Sequence, residues 1–183
     1  MKKIITLLLT FILFLEGNSQ ESKTTRKNNL APFYQFEIAI PFVGNRNRNE
    51  EINQEIIDRS LFIPEGISSK FGYGIQHNKW IATSIHSGID WKASYKLVAI
   101  PVYGNLRLST GIGDGYRITA QAGFGRGFAL GRGNLNGNYT RVSLGFETDE
   151  DFVYFIEGSS YNFRLKNENS IGLISLGIAL RTY

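Results

Sequence analysis

Eight segments that alternate apolar and polar residues with period two, an apolar face almost free of charge, and a composition rich in glycine and aromatics predict an all-β fold. The form they predict is an eight-stranded antiparallel up-and-down transmembrane β-barrel. The chain has 183 residues, enough for one domain. Its 20 Gly, 4 Pro and 13% aromatic residues favour strands joined by tight turns. With no Cys, disulfide scaffolds, cysteine zinc sites and thiol nucleophiles are excluded. His77 and His86 are the only imidazoles, too few for a three-histidine metal centre. The net charge of +4 is scattered, with no basic block of the kind that binds nucleic acid. Mean hydropathy is slightly negative, too polar for a bundle of membrane helices.

The first residues read as an export signal. Met1-Lys2-Lys3 is a positive n-region, and Ile4 to Leu15 is an apolar run broken only by Thr6 and Thr10. That run is about 12 residues, short of the ~20 a spanning helix needs. Gly17 and Ser19 supply small residues at the −3 and −1 positions of a signal-peptidase site, so cleavage is expected after Ser19, or else after Gln20. No Cys follows that site, which excludes a lipoprotein anchor. The expected organisation is a signal peptide over residues 1–19, a polar leader over 20–32 and the barrel over 33–183.

Each strand is justified by the same parity test. In 33–43, Tyr34, Phe36, Ile38, Ile40 and Phe42 alternate with Gln35, Glu37 and Ala39; a helix would scatter that apolar set around its circumference. In 67–76, Ile67, Phe71, Tyr73 and Ile75 oppose Lys70, Gly72, Gly74 and Gln76. In 80–91, Ile81, Ile85, Ile89 and Trp91 oppose Ala82, Ser84, His86, Gly88 and Asp90. In 96–108, Val98, Ile100, Val102, Leu106 and Leu108 oppose Tyr103, Asn105 and Arg107. In 116–125, Tyr116, Ile118, Ala120, Ala122 and Phe124 oppose Arg117, Thr119, Gln121, Gly123 and Gly125. In 139–147, Val142, Leu144 and Phe146 oppose Tyr139, Arg141, Ser143, Gly145 and Glu147. The seventh segment, 152–161, is less clean, with Phe152, Tyr154, Ile156 and Gly158 opposite Val153, Phe155 and Glu157. In 171–183, Ile174, Leu176, Ile178 and Leu180 oppose Ser175, Gly177, Ala179 and Arg181. These lengths suit tilted membrane strands of ~9–11 residues better than soluble strands of ~5–6.

The connections alternate as well. Short ones are His77-Asn78-Lys79, Ser109–Gly115 and Thr148–Asp151; long ones are 44–66, 126–138 and 162–170, while 92–95 is shorter than the pattern asks. Short turns at one end and long loops at the other are the asymmetry of an outer-membrane barrel with both termini on the periplasmic side. Residues 50–60 (EEINQEIIDRS) suggest a helical turn or two within the first long loop.

Alternation also fits a soluble sandwich, so further features decide. The polar face carries Glu37, Lys70, His86, Asp90, Arg107, Arg117, Arg141, Glu157 and Arg181. Inside a narrow eight-stranded barrel these would form a structural polar network, with Arg107, Arg117 and Arg141 pairing to Glu37, Asp90 and Glu157. The apolar face lacks charge apart from Lys96 at the start of the fourth segment, which suits lipid. Aromatics lie near segment ends, although Trp80 and Trp91 differ in parity, so at most one faces lipid within a regular strand. A strand of 11 residues at ~3.3 Å each and ~40° tilt rises about 28 Å, near the ~25 Å apolar band of such barrels.

FGYGIQHNKWIATSIHSGIDW (71–91), KLVAIPVYGNLRLS (96–109) and ISLGIALRTY (174–183) resemble the small eight-stranded outer-membrane β-barrels of the OmpA/OmpX type, the outer membrane β-barrel or porin-family proteins. The likeness spans essentially the whole mature chain, through loose patterns diagnostic of architecture and not of activity. It implies residence in a bacterial outer membrane, contact with outer-membrane lipid, and a terminal aromatic read by the barrel-assembly machinery, which falls on Tyr183. Tyr183 shares parity with Ala179 and Arg181 and not with the apolar set, so a bulge near Thr182 or an overhang past the strand is expected.

Little chemistry is legible. Gly111–Gly115 and Gly123–Gly127 lack dinucleotide spacing and a following Lys-Ser/Thr, and read as a turn and a Gly-lined wall. Gly131–Asn138 reads as a loop tip, and the sequon Asn138-Tyr139-Thr140 implies nothing here. Ser84, His86 and Asp90 share a face, but Asp90 lies roughly 13 Å from His86 along the strand at ~3.3 Å per residue, so a neighbouring strand would have to supply the acid. No catalytic, metal or cofactor site is expected. The reading is a structural or surface-interaction barrel, with loops 44–66 and 126–138 open to an unknown extracellular partner. Two alternatives stand beside it: a lipid-modifying barrel enzyme centred on His86, and a soluble lipocalin-like barrel with its apolar faces inward around a ligand.

Overall fold

The computed structural model describes residues 30–44, 51–52, 55–56, 61–93, 96–113, 115–130, 135–163 and 171–183. The expected signal peptide, and the leader as far as residue 29, lie outside the described residues. Strands β1 (Leu30–Gly44), β2 (Glu51–Ile52), β3 (Glu55–Ile56), β4 (Phe62–Pro64), β5 (Gly66–His77), β6 (Ile81–Lys92), β7 (Leu97–Gly113), β8 (Tyr116–Leu130), β9 (Asn136–Glu147), β10 (Phe152–Tyr161) and β11 (Ile171–Thr182) make up the fold, with no helix among the described residues.

Eight long strands, β1 and β5 to β11, pair antiparallel with their chain neighbours, and β11 returns to pair with β1, closing an up-and-down barrel. Closure leaves no long strand with an unpaired edge. The closing seam runs from Tyr34 opposite Thr182 to Phe42 opposite Ile174. The short strand β4 pairs with the end of β1 one residue out of step with β5, so Glu65 sits in a bulge, its amide donating to the Pro41 carbonyl at 2.7 Å.

Sequence parity sets which face of each strand looks inward. Along β1, Phe33, Gln35, Glu37 and Ala39 are buried while Phe36, Ile38 and Ile40 are exposed on the outer wall. The seventh segment, β10, alternates as regularly as the others. Trp91 lies on the outer face of β6; Trp80 lies in the preceding turn, outside any strand, and both are half-exposed. Asn78 and Lys79 have φ of 50° and 60°, the backbone of a two-residue type I′ hairpin turn.

Several strands run further than the sequence suggested. Leu30–Pro32, expected in the leader, pair with His77, Gln76 and Ile75. Ser109–Gly111, expected in a turn, pair with Thr119–Arg117, and Gly113 lies opposite Tyr116. The 126–138 loop is mostly strand as well: β8 continues to Leu130 and β9 starts at Asn136. Residues 51–52 and 55–56 pair antiparallel where a helical turn was expected, in keeping with the extended preference of their β-branched isoleucines.

Glycine explains why the β8–β9 hairpin looked like a loop. Inside the barrel, ring centroids step from His86 to Tyr103 (5.2 Å), Tyr139 (5.0 Å), Tyr161 (4.7 Å) and Phe163 (5.1 Å), a ladder rising to the long-loop end. A narrow cylinder holds such rings only where the facing wall has no side chains. Gly123 and Gly125 pass against Tyr103, Gly127 against Tyr161, and Gly72 against the His86 ring. A Cβ at Gly125 would lie 2.1 Å from the Val102 carbonyl oxygen, whereas one at outward-facing Gly104 meets nothing within 4 Å. Gly125→Ala is therefore expected to destabilise the refolded barrel by about 1–3 kcal/mol, the usual range for overpacking. Gly104→Ala should leave the thermal midpoint within error of the parent, and equal midpoints for both variants would contradict this packing.

Candidate functional site

Alternation turns every second side chain inward, many of them polar or charged, and the lumen they share is the candidate site. Five buried acids (Glu37, Glu65, Asp90, Glu147, Glu157) meet five buried bases (Lys70, Lys92, Arg107, Arg141, Arg181) among the described residues. An isolated buried ion costs several kcal/mol to desolvate, so this balance is what lets so many charges be buried together.

Arg141 on β9 is the centre. One of its nitrogens, Nη1, lies 2.8 Å from Glu37 Oε2 on β1, and the other, Nη2, lies 2.8 Å from Glu157 Oε2 on the adjacent β10. The Tyr103 hydroxyl accepts a further hydrogen bond from Arg141. Lys70 Nζ donates to Glu157 Oε1 at 2.7 Å, and Gln35 Nε2 donates to Glu37 Oε1 at 2.6 Å. One guanidinium thus ties two carboxylates from opposite sides of the barrel seam, and two further donors hold those carboxylates in place.

A second cluster lies at the short-turn end. Arg181 Nη1 donates to Glu147 Oε1 at 2.8 Å, Arg107 approaches Glu147 Oε2 at 3.9 Å, and Arg107 Nη2 donates to Gln76 at 3.1 Å. Tyr183, past the end of β11, turns its hydroxyl in to donate to Glu147 Oε1 at 3.0 Å. Burial and then the Glu147 carboxylate push that hydroxyl above its ordinary value, so it remains a donor. At the long-loop end, Asp90 accepts from Ser68 and from Tyr161, each at 2.5 Å, and Lys92 Nζ sits 4.0 Å above the Tyr161 ring.

The predicted set is therefore largely brought together, though with different partners from those expected. Arg141 takes Glu37 and Glu157, but Arg107 turns to Glu147 and Asp90 takes two hydroxyls. Arg117 stays at the rim, donating to the Lys79 carbonyl at 2.7 Å. Glu147 and Lys92, together with Tyr103, Tyr139 and Tyr161, belong to the network although charge and parity alone did not single them out. Glu147, Tyr103 and Tyr139 had the right parity, but Glu147 bordered a turn and the tyrosines carry no charge to mark them.

His86 has the hydroxyl neighbour that a nucleophilic pair requires, with Ser84 Oγ 2.8 Å from Nε2. Asp90 plays no part; the acid on the other side is Glu37, whose Oε1 is 3.8 Å from Nδ1, beyond hydrogen-bond range. Both His86 and Ser84 are buried, and His86 is stacked on Tyr103, so the pair faces packed side chains. No three His, Asp or Glu side chains gather as metal ligands among the described residues. Arg107, Arg141 and Arg181 are each 1% exposed, which leaves little room for water around them.

No protein-family model matches the chain, and no curated protein matches it. Arg141→Ala would leave Glu37 and Glu157 buried without their shared cation, and should lower stability by about 3–5 kcal/mol. Arg107→Ala, which loses a 3.9 Å contact to Glu147 and the hydrogen bond to Gln76 while Arg181 still pairs with Glu147, should lower it less. Melting of the refolded barrel in detergent checks both, and two unchanged midpoints would contradict a stabilising inward network.

Proposed function

We propose that this chain is an integral protein of a bacterial outer membrane: a structural or surface-interaction barrel, exported by its signal peptide, whose charged lumen holds the wall rigid. The observation that carries this reading is the direction of the alternation. The outer wall is predominantly apolar along every long strand, with Ile85 69% and Phe124 65% exposed, while the charges of those strands, Arg126 apart, point inward and are mostly buried. Water-soluble monomers rarely expose apolar patches beyond a few hundred Å². A belt that encircles the barrel is a surface for acyl chains.

Aromatic residues add to this. Tyr34, Trp80, Tyr116 and Phe152 are exposed near the short-turn end, and Phe62, Trp91 and Phe128 near the long-loop end, with aliphatic residues such as Ile38 and Leu144 between them. That distribution matches the interfacial girdles of membrane barrels. On this placement the long-loop end faces outward, and the regions 44–66 and 126–138 are the surface offered to a partner outside the cell. The last strand, ending at Tyr183, is the part the barrel-assembly machinery would engage. We assign the buried His86–Ser84 pair to packing and not to catalysis. A soluble ligand-binding barrel of lipocalin type needs its greasy face inside, and here that space holds ions and tyrosines.

Expression of the full precursor in a diderm host tests the proposal. The protein is expected in the outer-membrane fraction, running as a compact band unboiled and shifting to its full apparent mass on boiling. A soluble periplasmic band with no shift would contradict it.

A further inference from the structure

Arg126 interrupts the apolar outer wall. It lies on the outward face of β8 between Phe124 and Phe128, and it is the one charged residue on the outward face of the long strands among the described residues. It is exposed and makes no ion pair or hydrogen bond among those residues. It sits four residues before the long-loop end of β8 at Leu130. A charge on the lipid face costs about 2–4 kcal/mol at the bilayer midplane and about 0–1 near the interface. This position is thus affordable only close to headgroups.

Its surroundings are built in rows by the strand register. Arg126 lies opposite Asn138, whose carbonyl accepts from the Asn162 amide at 2.9 Å, giving an outward polar row. One residue pair closer to the short turns, Thr140 lies opposite Ser160, and Ser160 opposite Gly172. The next row holds Gly158. Nothing lies within 4 Å of where Cβ atoms of Gly158 and Gly172 would be, and the wall there sinks into a groove of about 410 Å³ flanked by Phe42 and Phe62. That volume is within the ~300–1,000 Å³ of small-ligand sites. Thr140, at the edge of the groove, is a diagonal neighbour of Arg126 across the β8–β9 pair, a spacing of about 7–8 Å that an arginine side chain can span, so the cation borders the groove on one side.

We infer that this groove binds an anionic, phosphate-bearing lipid of the outward leaflet, with the headgroup on Arg126 and an acyl chain lying over Gly158 and Gly172. The inference rests on the membrane placement proposed above. Charge complementarity names the headgroup, because a planar guanidinium pairs with phosphate through two parallel hydrogen bonds. The Asn138–Asn162 row and the Thr140 and Ser160 hydroxyls supply polar contacts beside it, and the glycine floor and phenylalanine walls suit the chain.

The test is native mass spectrometry of the barrel released from vesicles of phosphatidylglycerol mixed equally with phosphatidylcholine. Wild type should retain phosphatidylglycerol preferentially, and Arg126→Gln should lower that retention roughly fivefold, as expected for one charge-assisted contact. Gly158→Leu, which fills the floor, should reduce retention of the lipid while keeping the heat-modifiable mobility. Equal retention of the two lipids by wild type, or no change in Arg126→Gln, would overturn the site while leaving the membrane placement intact. Displacement of the bound lipid by inorganic phosphate alone would assign the cation to free phosphate and also overturn it. A barrel that does not enter the vesicles at all would overturn the placement itself.

Discussion

Closing eight strands on themselves turns every second side chain into a cylinder too narrow to hold much water, and in this chain five acids and five bases are among those buried side chains. Arg141 resolves the conflict by bridging Glu37 and Glu157, residues carried by strands on either side of the β1–β11 seam. An isolated carboxylate at that depth would be costly, whereas two carboxylates around one guanidinium and one ammonium, that of Lys70, are matched in charge. The contact between Arg141 and Glu37 spans 104 residues of sequence, so the network forms only when the first and last parts of the barrel are both in place. A charged lumen of this kind gives specificity of closure: a register slip of one residue would send the ions to the outer wall.

The aromatic ladder is the other half of the filling. Tyr139 and Tyr161 pack toward the long-loop end, where an apolar cluster around Leu97, Ile171 and Phe163 fills the interior. Large rings and long guanidinium side chains share a narrow space because β8 withdraws its side chains at Gly123, Gly125 and Gly127. The high glycine content is in this sense a packing requirement and not a sign of flexibility.

Strand faces were legible from the sequence because parity is a local property: Val142, Leu144 and Phe146 cannot share a face with Arg141 and Ser143. Pairing was not, because parity says which side chain points inward but neither its angular position nor its reach. That is why Arg107 was matched to the wrong acids and Glu147, beside a turn, was passed over. Strand ends were misread for a related reason. Glycines that clear space for rings look the same in sequence as glycines that turn the chain, so the paired residues 126–130 and 136–138 read as loop, and the one outward charge, Arg126, was hidden with them. Tyr183 overhangs its strand, one of the two arrangements its parity allowed, and its use as an internal donor to Glu147 depends on a partner 36 residues away.

The central claim is that the apolar side of the alternation faces lipid and the ionic side faces a closed lumen. The chain has no Cys, so single substitutions give unambiguous labelling sites. The most direct measurement places nitroxide labels at positions 85, 142 and 144 in vesicle-reconstituted protein and compares collisions with oxygen, which partitions into lipid, and with a water-soluble nickel chelate. The account predicts high oxygen and low nickel accessibility at all three, with a label at neighbouring position 143 shielded from both. High nickel accessibility at the three outward positions would place them in water and contradict it.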